Sequence, residues 1–309
     1  RFGLNVRLFL AKFSILQIEF GGTHDFKVGT NYGHTSWDWA AGYPGNLYFY
    51  DLNAVTYDPD TMSNYYWIET TGPYETNAKS DHIGFFVQDV YKPIDNLTFR
   101  FGTRYDKSIL RNDVGERIVD VGLWGPRFSV IWDPWSNGKT KITGSAGRFN
   151  ATGRLEVADF MAQGGSGVKL NLGEYFGEFE SPATNNYLHS PNDNNRQLAK
   201  NVTSPYSDEF SVGGERELYQ DLTFQLYFTA KFTRNLWAAD DTNFIWDEDG
   251  YNILGNRNGN ADEQQYRLRS PNIAQRNYYR TDIGLKRNFA DRWAVEANYS
   301  LTYSRGSAL

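Results

Sequence analysis

The chain has 309 residues, of which 17% are aromatic and 40% hydrophobic, and it contains no cysteine. Its formal net charge of −6 argues against a nucleic-acid binder, which would carry a basic surface. The absence of cysteine excludes disulfides and thiol chemistry. No stretch approaches the roughly 18 apolar residues that a membrane-spanning helix needs.

Alternation of apolar and polar side chains with a period of two is the dominant pattern. It predicts about ten β-strands, because successive residues of a strand face opposite sides of a sheet. In chain order they run through residues 4–20, 24–34, 82–91, 97–106, 126–133, 140–149, 207–217, 222–232, 278–287 and 293–303. The strand at 97–106 is typical, since Leu97, Phe99 and Phe101 alternate with Thr98, Arg100 and Gly102.

The links between these strands alternate in length. Short links lie at 92–96, 134–139, 218–221 and 288–292, and long links at 35–81, 107–125, 150–206 and 234–277. Short turns at one end and long loops at the other are typical of transmembrane β-barrels, whose strands need about ten residues to cross the bilayer. We therefore predict an all-β, antiparallel transmembrane barrel with short periplasmic turns and long extracellular loops.

Side-chain chemistry favours the same fold. The polar sides of the predicted strands carry charged and amide groups, which a watery interior tolerates and a dry core does not: Arg100, Arg104, Asp106, Gln225, Lys231 and Glu296. Aromatic residues fall where interfacial girdles are expected, with Tyr91, Trp135 and Trp293 near short turns and Tyr32, Tyr105 and Tyr303 toward the other ends. The alternative is a soluble β-sandwich, such as a secreted lectin, with these rings in its core.

Several motifs resemble those of a known family. The stretch 83–106, IGFFVQDVYKPIDNLTFRFGTRYD, is similar to a strand, short turn and strand of TonB-dependent outer-membrane transporters. The stretches 126–133, 147–149 and 205–228 also fit that family, most closely its Oar-like branch.

This resemblance implies a location in the bacterial outer membrane and a barrel of 22 strands that is closed by an N-terminal plug. We interpret the whole chain, 1–309, as one partial barrel domain with about ten of those strands, because no plug, TonB box or C-terminal strand is found in it. The implied partners are the protein's own plug, the TonB complex, which would act through the N-terminal region, and outer-membrane lipid.

The resemblance implies energised uptake of a scarce extracellular substrate and no enzymatic activity. The histidines are far apart, and no metal-binding or nucleophile motif is found. A catalytic pair of His82 and Asp106, as in a closed ten-stranded protease barrel, is a weaker alternative. A passive porin or surface-adhesin barrel with ligand-binding loops is the alternative function.

Candidate contact residues follow from this interpretation. His82, Arg104 and Asp106 lie on polar faces near strand ends, where they would contact substrate or plug. Four tryptophans of the long links, Trp37, Trp39, Trp237 and Trp246, could stack against a ligand or could pack the loops on themselves.

The acidic loops suggest two further interactions. Asp247, Asp249 and Asp262 lie near glycines, as calcium ligands often do. The segments that contain them, 247–250 and 256–263, lack the full spacing of a calcium loop. Calcium bound in an extracellular loop is therefore the weaker alternative to a solvated acidic loop, and no cofactor is predicted. The link 35–81 has seven acidic residues and one lysine, so it could share divalent ions with lipopolysaccharide phosphates or be a solvated surface.

Overall fold

The computed structural model describes residues 2–41, 47–51, 65–70, 74–151, 155–162, 170–175, 186–187, 196–199, 202–219, 221–246, 253–257, 266–290 and 292–307. Ten long strands form one sheet: β1 (Phe2–Glu19), β2 (Thr23–Ala41), β5 (Tyr74–Ile94), β6 (Leu97–Arg111), β7 (Arg117–Trp132), β8 (Thr140–Asn150), β12 (Tyr206–Tyr219), β13 (Leu222–Arg234), β18 (Arg276–Ala290) and β19 (Trp293–Gly306). Shorter elements fill the long links: β3 (Leu47–Asp51), β4 (Tyr65–Thr70), α1 (Leu155–Phe160), β9 (Leu170–Tyr175), β10 (Asn186–Tyr187), β11 (Arg196–Leu198), β14 (Ala238–Asp241), β15 (Phe244–Trp246), β16 (Ile253–Asn256) and β17 (Tyr266–Arg269).

The large sheet confirms the predicted strands. Its order is β1-β2-β5-β6-β7-β8-β12-β13-β18-β19, and each pair of neighbours is antiparallel. The short links gather at one end of the sheet, which we call the turn end, and the long links gather at the other, the loop end.

One predicted link is wrong in length. The link 107–125 shrinks to residues 112–116, because β6 and β7 continue to pair as far as Arg111 and Arg117. Asn112 closes the turn by accepting a hydrogen bond from the backbone N–H of Glu116 at 2.8 Å. The backbone hydrogen bonds between β6 and β7 thus continue beyond the residues that alternate between apolar and polar. That alternation is needed only where a strand contacts lipid.

The two faces of the sheet differ as expected. One face, here called outward, exposes large apolar side chains in the middle of the strands: Phe85, Phe101, Phe128, Phe210, Leu226, Phe228, Ile283 and Leu301. The opposite, inner face carries ion pairs, including Lys141–Glu215 at 2.8 Å and Lys231–Glu209 at 2.6 Å. The sandwich alternative is wrong, because these apolar groups are not enclosed between two stacked sheets.

A polar pair lies on the outward face near the turn end. Asp89, only 3% exposed, pairs its Oδ2 with Nδ1 of His24 at 2.7 Å. The His24 ring stacks on Tyr91, with centroids 4.3 Å apart, and also against Phe26. Aromatic rings thus cover a polar pair that would otherwise face hydrocarbon.

Arginine and tryptophan meet near the turn end. The Arg287 guanidinium lies 3.7 Å above the Trp293 ring, and that of Arg216 lies 5.0 Å above Trp135. Tryptophan at the interface is typical of a barrel rim.

A small core forms at the loop end. Helix α1 packs on the sheet through Ala158, which is 0% exposed, and nearby Met161. They contact Ala78, Leu110 and Val119. None of the described helices has the length and hydrophobicity of a membrane span.

Candidate functional site

The sheet brings His82, Arg104 and Asp106 together on the inner face. His82 and Asp106 lie on adjacent strands, since Gly84 of β5 is opposite Asp106 of β6. Asp106 Oδ1 is 3.3 Å from His82 Nε2 and 2.6 Å from Arg104 Nε. The three predicted contact residues therefore form one cluster.

The cluster also links more distant strands. Arg104 donates a hydrogen bond to Asn31 of β2, and Asn150 of β8 donates one to Asp106 at 3.5 Å and one to the Leu123 carbonyl at 2.6 Å. Gly84 makes this possible, because a Cβ there would lie 2.1 Å from Arg104 Nη2. The polar groups are positioned by regular strands rather than by loops.

A cavity of about 450 Å³ lies between this cluster and the turn end of the sheet. Its lining includes Arg100, Arg104, Arg127, Phe149 and Glu209. The Arg127 guanidinium lies 4.5 Å above the Phe149 ring. Sequence reasoning missed Arg127 and Phe149 as site residues, although alternation within 126–133 and 140–149 would have placed both on the inner face.

The tryptophans lie at the loop end. Trp37 and Trp39 are half-buried on β2, opposite Ala78 and Thr76 of β5. Trp237 packs against the small core that contains Ala78 and donates a hydrogen bond from Nε1 to the Thr203 carbonyl at 2.7 Å. Packing of the loops thus accounts for the contacts of Trp237.

The other predicted positions are not all described. Trp246 ends β15, and its side chain is outside the described part, as are the calcium candidates Asp247, Asp249 and Asp262. Within the described ranges, no three His, Asp or Glu side chains are grouped so that they could hold a metal ion.

Known transporters are similar to this chain in sequence and in fold. The chain is 26% identical over 330 residues to the TonB-dependent transporter Oar of Myxococcus xanthus, a match that covers 92% of this chain and 30% of that protein. No protein-family model matches. The chain spans less than a third of the length of Oar.

Solved structures share the fold. The FrpB iron transporter of Neisseria meningitidis aligns with a TM-score of 0.57 at 13% identity, over 97% of this chain and 36% of that one. The ferripyoverdine receptor of the outer membrane of Pseudomonas aeruginosa aligns with a TM-score of 0.56 at 12% identity, over 99% of this chain and 33% of that one. The resemblance to TonB-dependent outer-membrane transporters, including their Oar-like branch, is thus confirmed as a similarity of sequence and of β-barrel fold, and it agrees with the predicted location in the bacterial outer membrane.

Proposed function

We propose that this barrel wall belongs to a receptor that takes up a scarce extracellular substrate and is energised by the TonB complex. The observation that carries the proposal is the two-faced ten-stranded sheet, whose apolar outward face suits lipid and whose charged inner face suits a watery path. The similarity to a TonB-dependent transporter over 92% of the chain supports it.

The barrel interior and its loops have separate roles in this proposal. His82, Arg104 and Asp106 would contact the substrate or a plug formed by the same polypeptide. The long loops would capture the ligand, and the sheet itself would perform no covalent chemistry. Outer-membrane lipid and lipopolysaccharide would surround the outward face, and any calcium would be held in a loop.

The first test measures whether the pore is closed at rest. The full-length polypeptide would be reconstituted in planar bilayers in potassium chloride, with and without urea. A plugged transporter should conduct almost no current until urea displaces the plug, whereas a passive porin would conduct steadily from the start. Steady conductance without urea would therefore overturn the proposal.

The second test measures TonB coupling. The purified periplasmic domain of TonB should be retained by the full-length protein in detergent and should not be retained by a variant that lacks its TonB box. Retention that is equal for both proteins, or absent for both, would contradict energised uptake.

A further inference from the structure

The inner-face cavity has an unusual concentration of positive charge. Arg127 of β7 is directly opposite Gly102 of β6, which lies between Arg100 and Arg104 in sequence. The three arginines therefore surround Gly102 on one face, at cross-strand diagonals of about 7–8 Å between backbone positions. Like charges this close repel each other, so the arrangement favours an anion.

Gly102, between these arginines, packs closely against the backbone of β5. A Cβ at this position would lie 2.4 Å from the Val87 carbonyl oxygen and 2.8 Å from Gln88 Cα. No larger residue fits without a shift of the backbone.

The nearby carboxylates already have partners. Asp106 pairs with Arg104 and His82, and Glu209 pairs with Lys231 at 2.6 Å. Among the residues that the structure describes, no ion pair joins Arg100 or Arg127 to a carboxylate. Both of these side chains are exposed to the cavity.

A row of small hydroxyl side chains continues the site across the sheet. Arg100 is opposite Ser129, Ser129 is opposite Ser145, Ser145 is opposite Ser211, and Ser211 is opposite Thr229. All four hydroxyl residues line the cavity. Five neighbouring strands thus present one guanidinium and four hydroxyl groups in register, all able to donate hydrogen bonds to an oxyanion.

We propose that this cavity is a binding site for an oxyanion, either a carboxylate or a phosphate group, held by Arg100 and Arg127 and oriented by the serine row. The anion is supplied either by a soluble ligand in the pore or by an acidic side chain of the same polypeptide outside the described residues. The first of these sources, a soluble ligand, rests on the proposed function, because the anion would then be a group of the transported substrate.

Calorimetry on the full-length protein in zwitterionic detergent at low ionic strength tests the site, with citrate and inorganic phosphate as probes. The variants are Arg100→Gln, Arg127→Gln and their combination. The matched control is Arg148→Gln, which removes an arginine that pairs with Asp208 at 2.7 Å and does not line the cavity. Heat-modifiable migration in detergent gels shows that each variant has folded.

If the anion is soluble, wild type and Arg148→Gln bind a probe equally, and the double variant binds it at least tenfold more weakly. If the anion belongs to the polypeptide, wild type binds neither probe, and an experimental structure of the full-length protein shows an Asp or Glu carboxylate against Arg100 and Arg127. Equal binding by wild type and double variant would overturn the site, as would no binding together with no carboxylate there. Binding requires no TonB, so a failure of energised uptake leaves this test intact.

Discussion

Single residues hold the loop end of the sheet together, and Asp81 is the clearest example. It accepts hydrogen bonds from His34 at 2.8 Å and Tyr32 at 2.9 Å, and it pairs with Arg111. Asp81 lies on the loop side of residues 82–91, the ten residues of β5 that the alternation assigns to the membrane crossing. Burial raises the pKa of Asp81, but the hydrogen bonds from His34, Arg111 and Tyr32 outweigh burial and leave the pKa below its ordinary value.

The lowered pKa predicts an acid-sensitive contribution to stability. A carboxylate of this kind stabilises the fold fully above its unfolded pKa of about 3.9, and the contribution is lost as pH falls through the lower folded value. We expect the urea midpoint of unfolding in detergent to fall more steeply between about pH 5 and pH 2 for wild type than for Asp81→Asn. Asp95→Asn, in an exposed turn, is the control for the same change of side chain, and equal slopes for wild type and Asp81→Asn would contradict this account.

The cluster of His82, Arg104 and Asp106 shows which contacts could be predicted from the residue pattern and which could not. Alternation correctly placed Arg104 and Asp106 on the polar face of one strand. The contact of His82 with Asp106 also depends on register, which is set by the two-residue turn after Ile94 together with the register shift between Tyr91 and Ile94. The link to Asn31 was missed, because it crosses to a strand that is 73 residues away in sequence.

At the scale of elements, each long strand has one face for lipid and one for water. In β13, Leu226 and Phe228 are 45% and 42% exposed on the outward face, while Gln225 donates a hydrogen bond to Glu215 on the inner face. The serine row was missed at this scale, because small hydroxyl residues give no strong signal until five strands are aligned.

Charge on the two faces of β13 should have unequal effects. Leu226→Arg should lower the free energy of unfolding in lipid vesicles by about 2–4 kcal/mol, the cost of arginine near the bilayer midplane. Gln225→Arg, one residue away, faces water and Glu215, so it should change stability by less than about 1 kcal/mol. Urea unfolding followed by tryptophan fluorescence measures both, and equal losses would contradict the assignment of faces.

Helix α1 depends on the small core at the loop end. Leu110 is 0% exposed, and Leu110→Ala should cost about 2–5 kcal/mol in local packing. We expect faster trypsin cleavage within residues 151–205, with the heat-modifiable migration of the barrel unchanged. Leu226→Ala is the control, since its side chain packs in no core. Cleavage at the wild-type rate in Leu110→Ala would show that this core does not hold the helix.

At the scale of the whole molecule, ten strands in one antiparallel sheet leave β1 and β19 as its edges. The fold class and all ten long strands could be predicted, because lipid on one side and water on the other impose a strict alternation on each strand. The short strands within the long links were not predicted, because their residues meet neither environment in a regular way.

The central claim is that the two faces of these strands meet lipid and water, respectively. Residues 1–309 contain no cysteine, so single cysteines can be placed at successive positions from 224 to 230 of β13 in the full-length protein, with any cysteine outside these residues replaced, and assayed in lipid vesicles. A water-soluble, membrane-impermeant maleimide should label positions 225, 227 and 229 and leave 224, 226, 228 and 230 largely unlabelled. Labelling without this two-residue period, or with the opposite phase, would contradict the account.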